Sequence, residues 1–359
     1  MANRKWRFIA VDFDHLHIGD LLRLVSEHPG AEIAGMYDAD PQRMAEAAER
    51  FGVPPDRLFT NLEICLASAA ADVALLCSRP SRHAEYVEQM ASCGISIHVE
   101  KPFATSLEEA DRMIRAMQAG GGALVVNWPL AWYPPHVTAK RLVDSGAIGA
   151  LEQVHYYDGN RGPLRHLADK VEVAEADAAA RMSDSWWYTP GDGGSMRDYL
   201  GYGATLATWF FNGELPSEVT SVALTPGGRS VDEQSVTVAR YRSGLSVFQT
   251  RWGTFTDPWV LQPQPKCGFT LVGSAGTISS WDYEPVIHLQ TKEQPRATEI
   301  PVDTLLPPFR NSIEYLVAHL ESGAPVTGPL SVEISRAGQQ ITDAAQRSSV
   351  SRRPESLAP

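Results

Sequence analysis

Five short apolar runs, alternating with amphipathic stretches, fill the first 127 residues, and this alternation constrains the fold more than any other feature. The runs Arg7–Asp12, Glu32–Tyr37, Val73–Cys77, Ile95–Val99 and Ala123–Asn127 read as strands. The stretches Asp20–Ser26, Pro41–Phe51, Leu62–Ser68, Ser81–Ser92 and Ser106–Gln118 read as helices, two of them with start signals at Asp40-Pro41 and Thr105-Ser106. Strand and helix alternating in this way predict a parallel, doubly wound sheet with helices on both faces. Such sheets bind ligands beyond the carboxyl ends of their strands, where the strand order reverses. Asp12–His17, Asp38, Ser78–His83 and Glu100–Pro102 are therefore expected around one crevice.

The pattern changes after Asn127. A Pro- and Trp-rich loop leads to a helix near 136–145, and then come longer runs with a period of two: Leu151–Tyr157, Glu218–Ala223, Gln234–Tyr241, Ser246–Trp252, Gly268–Gly273 and Val286–Gln290. These predict an α+β domain with a large, mostly antiparallel sheet, one face covered by helices near 198–211 and 310–321. For 359 residues the expected division is a nucleotide domain at 1–127, an α+β substrate and oligomerisation domain at 128–345, and a loose Ser-rich tail at 346–359.

A formal net charge of −12, with no basic run, argues against nucleic acid or an anionic membrane surface as partner. No apolar stretch approaches the roughly 18–20 residues of a membrane span. Four cysteines without paired spacing read as reduced residues, so the expected compartment is the cytoplasm.

His98-Val99-Glu100-Lys101-Pro102 closes the fourth main strand, Asp38 closes the second, and Ser78-Arg79-Pro80-Ser81-Arg82-His83 follows the third. Together with Asp144–Gly149, Gly193-Gly194-Ser195-Met196-Arg197-Asp198 and Gly273–Ile278, this ordered series resembles the glucose–fructose oxidoreductase, inositol dehydrogenase and rhizopine-catabolism (Gfo/Idh/MocA) family over residues 6–345. The resemblance implies a Rossmann domain and an oxidoreductase acting on a secondary alcohol of a sugar, sugar derivative or cyclitol. It implies Lys101, Asp198 and Tyr202 as catalytic residues. Tyr202 stands four residues after Asp198, where the family usually has a histidine, and its phenol would serve as the acid–base group. Phe13, Asp14, His15, Leu16, Asp38, Ser78, Arg79, Pro80, His83, Glu100 and Lys101 are the expected cofactor contacts. Lys101, Asn127, Trp128, Arg161, Asp198 and Tyr202 are the expected substrate contacts, the aromatic density suiting the C–H faces of a carbohydrate or polyol.

The sequence departs from that family where the first strand turns into the first helix. Gly-x-Gly-x-x-Gly is replaced by Asp12-Phe13-Asp14-His15-Leu16-His17. A carboxylate ~5 Å from a diphosphate costs roughly 3 kcal/mol per unit charge at an effective dielectric near ~20. Three readings stand open. The turn is rebuilt, with His15 or His17 donating to the phosphates; or Asp12, Asp14, His15 and His17 hold a divalent metal; or dinucleotide binding is lost and a sugar-binding scaffold remains. The first is the expectation, with no metal. Asp38 can accept both ribose hydroxyls and would repel a 2′-phosphate, which favours NAD over NADP. A hydrolase or lyase that retains NAD and cleaves glycosides is the alternative enzyme class. An exposed sheet face predicts a homodimer or homotetramer.

Overall fold

The computed structural model describes residues 4–357. It divides into two compact units, one built on the chain up to residue 127 with 166–174 and 306–332, the other on 128–165, 175–305 and 333 onward.

The first unit holds β1 (Trp6–Val11), α1 (His17–Glu27), β2 (Ala31–Tyr37), α2 (Gln42–Phe51), β3 (Leu58–Phe59), α3 (Leu62–Ala69), β4 (Val73–Leu76), α4 (His83–Ala91), β5 (Ser96–Glu100), α5 (Leu107–Gly120) and β6 (Leu124–Asn127). All six strands are parallel, in the order β3-β2-β1-β4-β5-β6. The order reverses between β1 and β4, which puts the crevice beyond their carboxyl ends, at Asp12 and Ser78. β4, β5 and β6 are buried along their whole length, as a sheet covered on both faces requires. The predicted Ser106 cap is present: its side chain accepts the Glu109 N–H.

The second unit contributes α6 (Pro134–Asp144), β7 (Leu151–Asn160), α7 (Glu175–Ala180), α8 (Ser195–Phe210), β8 (Glu218–Leu224), β9 (Gln234–Arg240), β10 (Leu245–Trp252), β11 (Gly268–Gly273), β12 (Gly276–Trp281), β13 (Val286–Thr291) and β14 (Thr298–Pro301). After α9 (Ser312–Ser322), which belongs to the first unit, it is completed by α10 (Val332–Ser351) and β15 (Glu355–Ser356). Its nine-stranded sheet runs β14-β13-β12-β11-β7-β10-β9-β8-β15 and is antiparallel except for the β7–β10 pair. α8 packs on β7, β9 and β10, with Gly203 placed so that a Cβ there would lie 2.5 Å from the Tyr156 ring.

Three expectations about organisation are revised. α9 groups with the first unit, with Ile313, Leu316 and Val317 buried, and not with the unit that holds the antiparallel sheet. The segment 166–174 also joins that unit: Asp169 meets Arg23 on α1 at 2.8 Å, pairs with Arg50 on α2, and its N–H donates to Asp20. The tail is ordered as far as residue 357, its last two residues lying outside the described part. Residues 346–351 continue α10, Arg347 binds Glu355, and Glu355 pairs with Val219 on β8.

Candidate functional site

Beyond the carboxyl end of β1 the chain enters a turn in which all three glycine positions of the dinucleotide fingerprint carry side chains. Asp12 takes a φ of +64°, a left-handed backbone that Asp tolerates better than most residues. Its carboxylate is 2 % exposed and accepts the Asp14 N–H at 3.0 Å, Arg82 Nη1–H at 3.0 Å and the Tyr86 hydroxyl at 3.0 Å. Burial, with Asp14 and Asp38 nearby, pushes its pKa up to about 6, against the pull of Arg43 and Tyr86. Asp14 accepts Arg43 Nη2–H at 2.6 Å and the Arg79 N–H at 3.1 Å. Asp38 accepts the N–H groups of Phe13 and Asp40, both at 2.9 Å, with Arg43 Nη1 at 3.5 Å. The carboxylates expected to repel a diphosphate are thus each beside a guanidinium, which Arg43, Arg79 and Arg82 supply.

Most main-chain donors of the turn are also engaged. Asp12 N–H binds Tyr37 O, His15 N–H binds Cys77 O, Ile18 N–H binds His15 O and Gly19 N–H binds Leu16 O. His17 N–H donates to His15 Nδ1 at 3.1 Å. Below it Glu100, at the end of β5, is wholly buried; its Oε1 lies 2.8 Å from His17 Nδ1 and its Oε2 accepts Asn127 Nδ2–H at 2.7 Å. Burial opposes the charge on Glu100, but His17, Lys101 and the Asn127 hydrogen bond outweigh it and hold the carboxyl below its usual range. Burial and the charges of His17, Lys101, His166 and His83 lower the His15 pKa well below normal, so its ring is neutral at physiological pH. Lys101, next along from Glu100, is 4 % exposed.

Of the expected cofactor contacts, Phe13, Asp14, His15, Leu16, Asp38, Arg79, Glu100 and Lys101 stand at or beside this turn. Ser78 and Pro80 are buried at the start of the segment after β4. His83 is wholly buried, its ring nitrogens 3.1 and 2.9 Å from the Phe103 and Ser78 carbonyl oxygens, so it braces the backbone around the crevice. Asn127 is committed to Glu100. Sequence reasoning gave no role of their own to Arg43, Arg82 or Tyr86, and took His17 only as a donor to the phosphates or, in the alternative, a metal ligand. Arg43's position two residues into α2, just past Asp38, was the available signal for the first of them.

In the second unit Asp198 lies in the first turn of α8, buried, and accepts Trp252 Nε1–H at 3.0 Å. The Asp232 carboxylate starts that helix by accepting the Ser195 hydroxyl at 2.7 Å and the Met196 N–H at 2.8 Å. Gly194 is required there: its φ is +106° and a Cβ would lie 2.4 Å from Asp232 Oδ1. Tyr202 is one turn on from Asp198, its ring edge-on to Trp128 at 5.5 Å. Trp128 is buried, and its indole N–H donates to Ser335 on α10, so it packs the second unit. Arg161 is tied through its N–H and Nε–H to the buried Asp257 carboxylate, at 2.9 and 2.8 Å.

A dinucleotide is the cofactor this fold implies. Asp38 fits its adenosine ribose, keeping acceptor capacity after the two amide bonds, and Lys101 fits the nicotinamide end. Between them the turn offers guanidinium groups where amides are usual.

Residues 18–128 match the description "Oxidoreductase family, NAD-binding Rossmann fold", and residues 136–279 match the Gfo/Idh/MocA C-terminal domain. The first match begins just past the altered turn. An inositol 2-dehydrogenase of Rhizobium meliloti is 22 % identical over 346 residues, 94 % of either chain. A D-apiose dehydrogenase of Paraburkholderia graminis is 32 % identical over 120 residues, 33 % of this chain and 32 % of that one, so the chain spans about a third of that relative's length. The WlbA dehydrogenase of Bordetella pertussis, solved with NADH and UDP-GlcNAcA, shares the fold with a TM-score of 0.76 at 18 % identity, over 99 % of this chain and all of that one. Two family matches covering most of the chain, on a parallel sheet followed by a mostly antiparallel one, establish that this protein belongs to the Gfo/Idh/MocA oxidoreductase family and carries its NAD-binding Rossmann fold.

Proposed function

We propose that the chain is an NAD-dependent dehydrogenase acting on a secondary alcohol of a sugar, sugar derivative or cyclitol. The observation that carries this is Lys101, held almost fully buried at the carboxyl end of β5 beside an ionised Glu100, next to the point where the strand order reverses. A lysine so placed can hydrogen-bond a substrate hydroxyl and take part in moving its proton. The family resemblance assigns acid–base work to Tyr202 and substrate orientation to Asp198, which within the second unit accepts Trp252 Nε1–H. When bound, NAD supplies the hydride acceptor. Asp38 selects NAD over NADP because its carboxylate would repel a 2′-phosphate. The names of the inositol and apiose dehydrogenases among its relatives support polyols of that size.

The purified full chain, incubated with NAD and a panel of inositols, pentoses and hexoses, should generate reduced nicotinamide with at least one of them. A second reading, a carbohydrate-binding chain without dinucleotide, is favoured by one observation, the internal bonding of the turn's N–H groups. It predicts no NAD binding together with retained polyol binding. Val222, Leu224 and Val236, exposed on the outer face of the β8–β9 edge of the sheet, support a homodimer or homotetramer. Among the described residues no helix is long and apolar enough to cross a membrane; a cytoplasmic location is part of the same proposal.

A further inference from the structure

We propose that His15, His17 and Glu100 form a binding site for one divalent transition-metal ion of the zinc class. One ligand atom from each of the three lies within 4.8 Å of the others. His17 Nδ1 and Glu100 Oε1 are 2.8 Å apart, and His15 Nε2 and Glu100 Oε1 are 3.8 Å apart. A tetrahedral ion with bonds of about 2.0–2.1 Å separates its ligands by roughly 3.3 Å, so the two spacings bracket what such an ion needs. Small movements of the His17 and His15 rings would equalise them.

The donor chemistry selects the ion. Two imidazoles and one carboxylate suit zinc, cobalt, nickel or iron, whereas calcium and magnesium call for a shell of oxygens. Asn127 holds the second oxygen of Glu100 at 2.7 Å and so fixes the carboxylate plane, the supporting contact that ligating carboxylates usually have. His15 and Glu100 are buried, while the His17 side chain is 21 % exposed. Entry is thus from the His17 side, and three protein ligands leave a fourth position open to an oxygen of water or of a bound molecule.

Ligation through His15 Nε2 requires the ring proton on Nδ1, so the contact from His17 N–H opens when the ion binds. One hydrogen bond is a small loss beside the bonds to the ion. The site differs from the set suggested by sequence spacing, because Asp12 and Asp14 are turned to Arg82, Arg43 and Arg79. The site lies in the turn where the dinucleotide is expected and uses two of the expected cofactor contacts, His15 and Glu100, but its test needs neither dinucleotide nor polyol, so it succeeds or fails independently of the dehydrogenase reading.

The test uses the full chain, treated with a chelator and dialysed, then titrated calorimetrically with Zn²⁺ and followed by visible absorption with Co²⁺. One ion per chain is expected, with the Co²⁺ bands of a low-symmetry nitrogen and oxygen site. His17→Ala and Glu100→Gln should each weaken binding at least a hundredfold, while Cys93→Ser, at the exposed thiol, leaves it unchanged. Circular dichroism reports whether each variant is folded. Should Glu100→Gln not fold, His17→Ala, at the rim, decides alone. Absence of saturable binding to the unmodified chain, or full affinity in folded His17→Ala, overturns the site.

Discussion

Arg43, on the first turn of α2, holds the Asp14 carboxylate at 2.6 Å across the mouth of the altered turn. The guanidinium that a diphosphate would meet is therefore shared with a carboxylate of the chain. Replacing Asp12 and Asp14 together by glycine releases Arg43, Arg79 and Arg82, frees the residue-14 N–H from the Asp12 carboxylate, and suits the left-handed backbone at position 12. NAD should bind at least tenfold tighter to this variant, a gain of about 1.4 kcal/mol or more. Calorimetric titration of both proteins checks it; unchanged affinity would show that the carboxylates do not compete with the cofactor.

Asp12 also makes stability depend on pH. Its pKa of about 6 in the folded chain lies above the ordinary 3.8, so between those values the folded state holds a proton that the unfolded state has released. Stability from this group is complete below about pH 4 and is lost as pH rises through 6. Asp12→Asn keeps an acceptor for Arg82 and removes the titration. Urea unfolding at pH 4 and pH 7 should show a larger drop for the unmodified chain than for the variant, and equal drops would contradict the assignment.

Close packing of α8 on the sheet gives a test of the second unit. In Gly203→Ala the new Cβ would stand 2.5 Å from the Tyr156 ring, which is itself fully buried and hydrogen-bonded to Asp158. Over-packing of this kind costs about 1–3 kcal/mol. Gly227→Ala, with nothing within 4 Å of the added atom, is the matched control. Thermal unfolding should fall for the first variant and hold for the second.

The parallel sheet was legible because its strands are continuous apolar blocks separated by capped helices. Asp38, Lys101 and Asp198 could be located because each sits at a fixed offset from a strand or helix end. His17 and Glu100 were not seen as partners, since 83 residues separate them and only the sheet order, β1-β4-β5, brings the turn after β1 near the end of β5. The return of 166–174 to the first unit depends on charges such as Asp169 that carry no periodicity. Trp128 was read as lining for a sugar, yet its ring fills space that Gly201 leaves open on α8, a fit visible only in three dimensions. The tail looked loose because its order comes from α10 and from pairing with β8, not from apolar residues of its own.

Lys101 carries the proposed chemistry, so Lys101→Ala should leave the unfolding midpoint near that of the unmodified chain and lower turnover at least a hundredfold, the scale of a positioned proton-transfer group. Steady-state kinetics on the best polyol of the panel measures this; unchanged turnover would remove Lys101 from the mechanism.

The central claim, transfer of hydride from a polyol to NAD on this chain, is tested most directly by following the absorbance of reduced nicotinamide while the purified full-length protein is mixed with NAD and each member of an inositol and aldose panel. The account predicts a rise that saturates with at least one polyol, needs NAD and disappears in Lys101→Ala. No reduced nicotinamide with any member of the panel, together with no NAD bound in a calorimetric titration, would contradict it.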